Sequence, residues 1–540
     1  MIAQPLDGLA GLRQNWMDDL ISGFILFLIA LPLSLGIALA SGAPASAGIL
    51  GAIVGGILGS LLGGSYLTIN GPAAGLIVIV LGAIQDLGAG DPATGFKKML
   101  AACVVAGGVQ ILFGVFRLGI LGVAVPSSVI HGMLTAIGVI IMSKQIHVAL
   151  GVIPHAKEPL GLLEEIPHSL SQLNPEVALI AAVGLVILLG FKLFKGSWVR
   201  FVPAPLIVVL SGIYLANLFD FDHTHLVTSH WLNLEVGPSL LLNLPQNLAS
   251  AIILPDFSSV FSGVSVRYVV MLAMVGSIES LLSASAVDRM DPYQRVSNLD
   301  RELISKGICN LTCGLIGGLP IIAEMVRSSA NVRNGAKTRW ACFFHGAFIL
   351  LFIGLFPKIV HLIPLAALAA ILLSVGYSLA QPTQFLYVAK VGRDHFAAFL
   401  ITFIVTLAQD LLVGVFAGLF VEILFSLARG AGWKTLFRPA MRECVEGSHL
   451  HLKFQSALIF TNFLALKKRL DNLGKIKAVT VDVSDAAVVD HTVLEHLHRY
   501  QAEQESQGNK FSLHFSEDHL PVSKHPLAAR KRRAGGRPIK

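Results

Sequence analysis

Apolar stretches of membrane-spanning length recur from Leu20 to about Arg429, separated by proline, glycine and charged residues. A run of about 20 apolar residues crosses the hydrocarbon core of a bilayer as one α-helix. Hydrophobic residues make up 54% of the 540-residue chain and charged residues only 14%, which excludes an ordinary soluble protein. The sequence therefore predicts a polytopic α-helical membrane protein with about fourteen spans. The predicted spans lie near 20–40, 47–63, 72–87, 99–115, 121–144, 177–193, 201–219, 267–287, 302–316, 320–332, 338–355, 358–378, 395–410 and 411–429.

Two of these spans are conspicuously short, and each is the third in a group of seven. One follows Asn70-Gly71-Pro72 and the other follows Gly318-Leu319-Pro320. Short or Gly/Pro-interrupted segments at corresponding positions of two halves indicate a transporter binding site. An odd number of spans per half inverts the second half. The spacing therefore predicts a 7+7 inverted repeat, in which the starts of the two short helices face each other near the membrane centre.

The second short span belongs to the stretch Asn310–Asn331, which we interpret as a helix broken at Gly317-Gly318. Pro320 suits the first position of a new helix, and Arg327 then lies about 10 Å further along the axis. Free backbone N–H groups at a helix start favour an anion, and Arg327 adds a positive charge. We therefore predict that a small anion binds here. The alternative is a simple kink, with Arg327 neutralised by Glu324 one turn earlier.

Glu279 lies within the eighth predicted span, and Ser283 follows it by one turn on the same helix face. An intramembrane carboxylate is costly and is a functional-site candidate by default. Carboxylate and hydroxyl could hold Na⁺, or Glu279 could carry a proton, and the sequence does not separate the two. The alternatives are a buried partner for Arg327 and a polar contact between helices.

Other polar residues in the spans carry weaker signals. His131, His345 and His361 could relay protons, although a lone histidine in an apolar span is more often a packing residue. Glu324 could line the pathway or form an intrahelical ion pair, and Glu422 stands isolated in the last span without an assigned role.

The small residues of the second span favour packing over chemistry. Gly55-Gly56, Gly59 and Gly63-Gly64 have the spacing that permits close helix approach. The five cysteines are scattered without a Cys-x-x-Cys pair, so we expect core side chains rather than disulfides or a zinc site.

Lysine and arginine set the expected orientation. None occurs between Arg200 and Arg267, so this connection should lie outside, whereas the basic loops and both termini should be cytoplasmic. The N-terminal segment 1–19 lacks the features of a removable signal peptide. The transmembrane domain is expected over 20–430, with repeats over about 20–219 and 267–430.

After Arg429 hydropathy drops, and strand-like pieces alternate with helix-like ones, which predicts a small cytoplasmic α/β domain over 445–517. The expected strands are 450–454, 457–460, 478–483 and 510–515, and the expected helices are 464–473 and 492–507. Residues 518–540 are expected to form a basic, disordered tail, with an anionic-lipid contact as a weaker alternative.

Three common catalytic motifs are absent from the sequence. The chain lacks a nucleotide-binding Gly-x-x-x-x-Gly-Lys-Ser/Thr loop, a metal-binding His-Glu-x-x-His motif and the signature of a catalytic triad. We therefore expect a protein that is not an enzyme, needs no cofactor, binds no nucleic acid and draws its energy from ion gradients.

Ordered motifs resemble the sulfate permease (SulP) family of anion transporters over nearly the whole chain. They are Ile29-Ala-Leu-Pro-Leu-Ser34, Gly63-Gly-Ser65, Gly71-Pro-Ala-Ala74, Glu279-Ser-Leu-Leu-Ser283, Ser297-Asn298 with Arg301-Glu-Leu, Gly317-Gly-Leu-Pro320, Arg327-Ser-Ser-Ala-Asn331 and Gly335-Ala-Lys-Thr-Arg339. The soluble end resembles the family's STAS domain at Val481-Asp-Val-Ser484 and Val489-Asp-His-Thr492.

The resemblance implies core and gate domains that move against each other, a homodimer, and a small inorganic anion as substrate. It places the anion between the starts of the third and tenth helices, and it links an acidic residue at the position of Glu279 to cation coupling in some members. We expect no metal beyond Na⁺ at Glu279. The candidate anion-binding residues are Asn70, Gly71, Pro72, Ala73, Ala74, Pro320, Ile321, Ile322, Ala323 and Arg327.

The chain departs from the family pattern in three places. Asn70 stands where a small residue is expected, Glu324 adds a negative charge within a turn of Arg327, and Val493 replaces a glycine, which argues against phosphorylation at Thr492. The segments Asp291–Arg295 and Trp340–Gly346 resemble bacterial members that handle bicarbonate.

The predicted function is import of bicarbonate or sulfate together with Na⁺ or H⁺ across a bacterial inner membrane. The alternatives are a nucleobase carrier of the same architecture, and an anion channel, exchanger or sensor.

Overall fold

The computed structural model describes residues 4–123, 125–156, 158–191, 203–229, 232–243, 248–409, 411–436, 438–470, 476, 478–506 and 508–532. Contacts divide the chain into two compact units. One comprises Met1–Gly119 and Ile137–Leu379, and the other comprises Ile120–Ala136 and Ala380–Lys540. The second unit therefore contains the last membrane helices together with the C-terminal domain.

Helices dominate the first unit. They are α1 Gly8–Ala40, α2 Ala45–Leu62, α3 Ile77–Gly88, α4 Pro92–Val115, α5 Ser127–Leu150 (shared with the second unit), α6 Pro159–Ser171, α7 Pro175–Phe191, α8 Ala204–Leu218, α9 Gly263–Met290, α10 Leu299–Ile316, α11 Met325–Arg333, α12 Trp340–Leu355, α13 Pro357–His361 and α14 Leu365–Leu379. The second unit continues with α15 Pro382–Val391, α16 Arg393–Ala408 and α17 Leu411–Ala428.

The predicted spans coincide with these helices, with local differences. Among the described residues, seven helical segments are long and apolar enough to cross a membrane, and α6 with α7, bent by 116°, makes an eighth. The segment predicted at 358–378 is divided into α13 and α14, and α6 and α15 were not predicted. The span ends at 192–193, 201–202 and 410 lie outside the described residues.

Four helices of the first unit cross in pairs at glycine. An added Cβ at Gly56 of α2 would lie 2.5 Å from the Gly346 Cα of α12. An added Cβ at Gly107 of α4 would likewise lie 2.6 Å from the Gly307 carbonyl oxygen of α10. The helices α2 and α10 are second in their halves, and α12 and α4 are fourth. Each crossing therefore joins the second helix of one half to the fourth helix of the other half, and the two crossings correspond under the inverted repeat.

Two short strands interrupt the helices at corresponding points. Strand β1, Ile69–Pro72, precedes α3. The long connection between the halves forms a separate hairpin of β2, His225–Ser229, and β3, Leu232–Val236. The strand that corresponds to β1 follows α10 in the second half. Strand β4, Ile321–Glu324, pairs antiparallel with β1. The predicted break at Gly317 is present, because Gly317 ends α10 in the left-handed conformation with φ of 90°.

The C-terminal domain is an α/β structure around a four-stranded sheet of order β5-β6-β7-β9. Its elements are β5 Met441–Glu446, β6 His449–Phe454, α18 Phe463–Leu470, β7 Ala478–Asp482, β8 Val488–Val489, α19 His491–Ser506, β9 Lys510–His514, β10 His519–Pro521 and β11 Arg530–Arg532. Leu450, Leu452 and Phe454 of β6 point inward in the alternation typical of a half-buried strand. Their burial joins the sheet to α18 and α19 in one hydrophobic core.

Three expectations for this part of the chain need correction. Residues 457–460 do not form a strand but only a bridge between Leu458 and Val489. The tail is not disordered over 518–532, because β10 and β11 add to β8 in a second sheet; residues 533–540 lie outside the described part. Cys444 is exposed rather than in the core, whereas the other four cysteines are buried.

Glu422 is not isolated, contrary to expectation. Its carboxylate accepts a hydrogen bond from the Ser128 hydroxyl and lies 2.9 Å from His395 Nδ1 on the neighbouring α16. The His395 ring in turn lies 5.1 Å from the His491 ring at the start of α19. Periodicity could not reveal this contact, because it joins residues far apart in sequence.

We expect Gly346→Val to destabilise the first unit, because the new side chain would meet the backbone of Gly56 and Ile57 at 2.9 Å. Overpacking of this kind costs about 1–3 kcal/mol or more. Gly354→Val on the same helix is the matched control, since an added Cβ there meets nothing within 4 Å. For both variants, the unfolding temperature and the monodispersity of the purified protein are measured in detergent. Equal unfolding temperatures would contradict the observed crossing.

Asp490 should make the start of α19 sensitive to pH. Burial raises the pKa of its carboxyl from 3.8 to about 6, against the hydrogen bonds that it accepts from the Val493 and Phe460 N–H groups. The folded state therefore binds more protons than the unfolded state between about pH 4 and pH 6, and this contribution to stability falls as pH rises through that window. Burial lowers the pKa of His491, which contributes with the opposite sign.

Hydrogen exchange of the first-turn amides of α19 in the full chain, corrected for intrinsic rates, tests this prediction. Protection in the wild type minus protection in Asp490→Asn should decline between about pH 4 and pH 6. Asp482→Asn, at the end of β7, is the control and should retain the wild-type pH dependence. A difference between wild type and Asp490→Asn that does not change with pH would refute the assignment.

Candidate functional site

The pairing of β1 with β4 brings the two interrupted segments together inside the first unit. Asn70 lies opposite Ala323, and Gly71 lies opposite Ile322. Side chains satisfy further backbone groups: the Ile69 N–H donates to Ser328 Oγ at 2.8 Å, and the Ile321 N–H donates to Asn310 Oδ1 at 2.6 Å. Both strands are buried except for partly exposed Glu324, so a water-exposed loop is excluded here.

The predicted helix start at Pro320 is wrong. Residues Ile321–Glu324 are extended, and α11 begins at Met325, with Glu324 as its N-cap accepting from the Arg327 N–H at 2.8 Å. Pairing with β1 satisfies the backbone as a strand, which overrides the local preference of proline for a first helical position. Arg327 therefore lies in the first turn of α11 rather than two turns into a helix.

The first half follows a similar path. After β1, Ala73 leads into a 3₁₀ turn over Ala74–Leu76, and α3 begins only at Ile77. The candidate residues Asn70, Gly71 and Pro72 lie in β1. Ala73 and Ala74 open the turn, Pro320 directly precedes β4, and Ile321, Ile322 and Ala323 belong to β4. The structure thus places all of them around one strand pair.

Arg327 is fully buried, with its guanidinium directed at the other segment. Its Nη2 donates to the Pro72 carbonyl oxygen at 2.9 Å, and its Nη1 lies against Gly71, where an added Cβ would be 2.6 Å away. Glu324 Oε2 lies 3.9 Å from Nε, beyond hydrogen-bonding distance. Among the described residues, neither Nε nor Nη1 has a hydrogen-bond acceptor. Glu324 therefore forms a long ion pair with Arg327 but leaves these two guanidinium nitrogen atoms without a hydrogen bond in the described structure.

Glu279 lies on α9 with its carboxylate against the turn that precedes α3. An added Cβ at Gly75 would lie 2.1 Å from Oε1 and 2.3 Å from Oε2, so only glycine permits this approach. The residue is 7% exposed, and Oε1 has no hydrogen-bond donor among the described residues. Ser283, also buried, follows one turn later on the same helix. A carboxylate thus lies at the start of each short helix, Glu279 for α3 and Glu324 for α11.

The glycines of α2 pack closely, but Gly55 and Gly59 approach strand β1 rather than another helix, the predicted contact. An added Cβ at Gly55 would lie 2.8 Å from the Asn70 carbonyl oxygen, and one at Gly59 would lie 2.8 Å from Asn70 Nδ2. Gly51 lies under Leu319 and Pro72 in the same way.

The structure does not bring the three candidate histidines together. His345, on α12, is fully buried, and its two ring nitrogens have no hydrogen-bond partner in the described part of the chain. His361 Nδ1 lies 3.1 Å from the Leu242 carbonyl oxygen, and His131, in the second unit, lies beside Tyr387 with ring centroids 6.0 Å apart.

Sequence reasoning missed the amides and hydroxyls that hold the site. Asn331 Nδ2 donates to the Leu67 carbonyl oxygen at 2.8 Å, and Ser280 Oγ accepts from the Ala323 N–H at 3.3 Å. Gln110 and Asn310 form a further buried pair at 2.8 Å. The available signal was the presence of amide side chains within predicted apolar spans.

A model of the sulfate permease family matches residues 17–402. The chain belongs to this family. The putative sulfate transporter YvdB of Bacillus subtilis (strain 168) is 30% identical over 419 residues, which cover 77% of this chain and 74% of the relative. The bicarbonate transporter BicA of Picosynechococcus sp. is 28% identical over 492 residues, which cover 87% of this chain and 84% of the relative.

Solved structures agree with the sulfate permease assignment. The transmembrane domain of a cyanobacterium bicarbonate transporter BicA matches with a TM-score of 0.62 and 27% identity, over 77% of this chain and 100% of that chain. SLC26A9 matches with a TM-score of 0.67 and 16% identity, over 93% of this chain and 84% of that chain, which shows the fold alone. The protein is a polytopic helical membrane protein with a C-terminal α/β domain.

We expect Gly75→Ala to displace Glu279, because the added methyl carbon would lie 2.1 Å from Oε1. Misplacement of a site residue by about 1 Å can lower a rate by 10²-fold, so we expect at least a tenfold loss of anion uptake in proteoliposomes. Gly108→Ala on α4 is the control, since an added Cβ there meets nothing within 4 Å. If the Gly75→Ala protein folds and its anion uptake is unchanged, the position of the Glu279 carboxylate is not required for transport.

Proposed function

We propose that the protein is a secondary transporter that imports a small inorganic oxyanion, bicarbonate or sulfate, together with Na⁺ or H⁺. The observation that carries the proposal is the fully buried Arg327 guanidinium, whose Nε and Nη1 have no acceptor in the described structure. A buried charge in a membrane interior is expensive unless it is paired, so a ligand with acceptor oxygens fits this place. Relatives named as sulfate and bicarbonate transporters support the same substrate class.

The geometry favours an oxyanion over an apolar ligand. A guanidinium presents its N–H donors as a planar fork that matches the oxygens of a carboxylate-like or sulfate-like group. The turn at Ala74–Leu76 and the first turn of α11 add positively polarised helix starts close by. The candidate anion-binding residues around β1 and β4 would supply backbone groups.

The carboxylates explain why a cation would accompany the anion. When Glu279 and Glu324 are both ionised, the site has two negative charges against one guanidinium, so an entering anion meets repulsion unless a cation or a proton offsets it. Glu279, with Ser283 on the same face, would hold Na⁺, or Glu279 would take up H⁺. Each ligand would then raise the affinity for the other by the same factor.

The proposed mechanism is an elevator-like alternating access, in which a core domain carrying both strands shifts against a gate domain. We further propose a homodimer in a bacterial inner membrane with both termini cytoplasmic. The distribution of lysine and arginine between loops supports the orientation.

Uptake of labelled sulfate and bicarbonate into proteoliposomes, with and without Na⁺ at two pH values, tests this function. We expect Arg327→Ala to raise the anion KM about 10- to 100-fold, because hydrogen bonds to a charged group contribute about 1.5–3 kcal/mol. Glu279→Gln should abolish the dependence on the coupling ion. Arg333→Ala, at the exposed last turn of α11, is the matched control and should leave KM unchanged.

Three outcomes would contradict the proposal. They are an unchanged KM in Arg327→Ala, competition by uracil or xanthine in place of oxyanions, and flux that neither saturates nor accumulates against a gradient. The second outcome would identify a nucleobase carrier, and the third would identify a channel.

A further inference from the structure

A pair of buried amides connects four elements of the first unit. Gln110 of α4 is fully buried, and its Oε1 accepts from Asn310 Nδ2 of α10 at 2.8 Å. Asn310 Oδ1 accepts from the Ile321 N–H, the first backbone donor of β4, at 2.6 Å. At the other end, Gln110 Nε2 lies 3.4 Å from Ser277 Oγ and 3.5 Å from the Ala273 carbonyl oxygen of α9.

Backbone groups at both ends fix the direction of this chain of hydrogen bonds. The Ile321 N–H can only donate, so the atom of Asn310 that faces it must be the oxygen, and the amide nitrogen of Asn310 must face Gln110. The Ala273 carbonyl can only accept, so Gln110 must present its nitrogen to α9 and its oxygen to Asn310. The two requirements agree, and neither amide can flip without breaking contacts.

The two ends of the chain lie at the two halves of the candidate site. Ile321 opens β4, and α11 with Arg327 follows β4 directly. Ser277 lies two residues before Glu279 on α9, and an added Cβ at Gly276 would lie 3.1 Å from Gln110 Nε2. Ser280 of α9 accepts directly from the Ala323 N–H near the end of β4. Gln110 and Asn310 connect α9 separately to Ile321, the first residue of β4, and neither amide has an alternative orientation that keeps its contacts.

We propose that Gln110 and Asn310 are positioning residues that couple occupancy at Glu279 to the geometry of the oxyanion pocket at Arg327. This inference rests on the proposed function, because coupling has meaning only if both ligands bind. A purely structural role would need the two amides only to satisfy each other. The coupling role requires in addition that their loss uncouple the two ligands in a protein that still folds.

The test measures the anion KM of the full chain in proteoliposomes at low and saturating levels of the coupling ion. The ratio of the two KM values is the coupling factor. Gln110→Leu and Asn310→Leu should each lower this factor at least fivefold towards one, and the double variant should lower it no further than either single variant. Thr312→Val, which removes only a hydrogen bond within α10 to the Ile308 carbonyl, should retain the wild-type factor.

Gln110→Glu keeps the size of the side chain and serves where the leucine variants fail to fold. An ionised carboxylate has no donor for the Ala273 carbonyl, whereas a protonated one supplies an O–H there. The coupling factor of Gln110→Glu relative to wild type should therefore recover as pH is lowered. If folded Gln110→Leu, or Gln110→Glu at every pH, keeps the wild-type coupling factor, the inference is wrong but the proposed function still stands. Absence of saturable oxyanion uptake by the wild type would overturn the proposed function and the inference with it.

Discussion

The pairing of β1 with β4 is the constraint on which the membrane domain depends. Backbone N–H and C=O groups within a bilayer must be satisfied internally, so extended segments at that depth need a partner. Each strand is the partner of the other, and the Asn310 and Ser328 side chains take backbone donors at Ile321 and Ile69. Glycines of α2 let the strand backbones approach the helix closely.

Charge inside this frame is distributed unevenly. The Arg327 guanidinium lies 3.9 Å from the Glu324 carboxylate, and two of its nitrogen atoms have no acceptor in the described structure. The Glu279 carboxylate lies at the other helix start, against Gly75. With both carboxylates ionised, an anion alone would add to a negative excess, whereas an anion with a cation or proton would leave the site closer to neutral. Glu324 accepts from the Arg327 backbone N–H as the N-cap of α11, while its Oε2 lies 3.9 Å from the Arg327 Nε. Charge balance thus supports the proposed symport independently of the names of the relatives.

Sequence patterns predicted the breaks, the third position of the short segments in each half and the burial of Arg327 and Glu279, because glycine, proline and isolated charges are visible locally. They failed at Pro320, where pairing with a strand about 250 residues away decided between strand and helix. They also failed at Glu422, whose partners Ser128 and His395 lie on other helices, and at the tail, where β11 joins β8. Each failure concerns a contact between distant parts of the chain, which periodicity and local propensity do not encode.

The inverted repeat is visible in the packing although the halves share little residue identity. Gly56 meets Gly346, and Gly107 meets Gly307, so in each pair the second helix of one half crosses the fourth helix of the other half at backbone contact. Close crossings resist sliding, because any side chain passing the contact would meet main-chain atoms. The helices α2, α4, α10 and α12 therefore form a stiff frame around the strand pair, and Gln110 and Asn310 join two of them to β4 and α9. In the proposed transport cycle such a frame would carry both interrupted segments as one body, since a movement that separated the strands would expose their backbone to hydrocarbon.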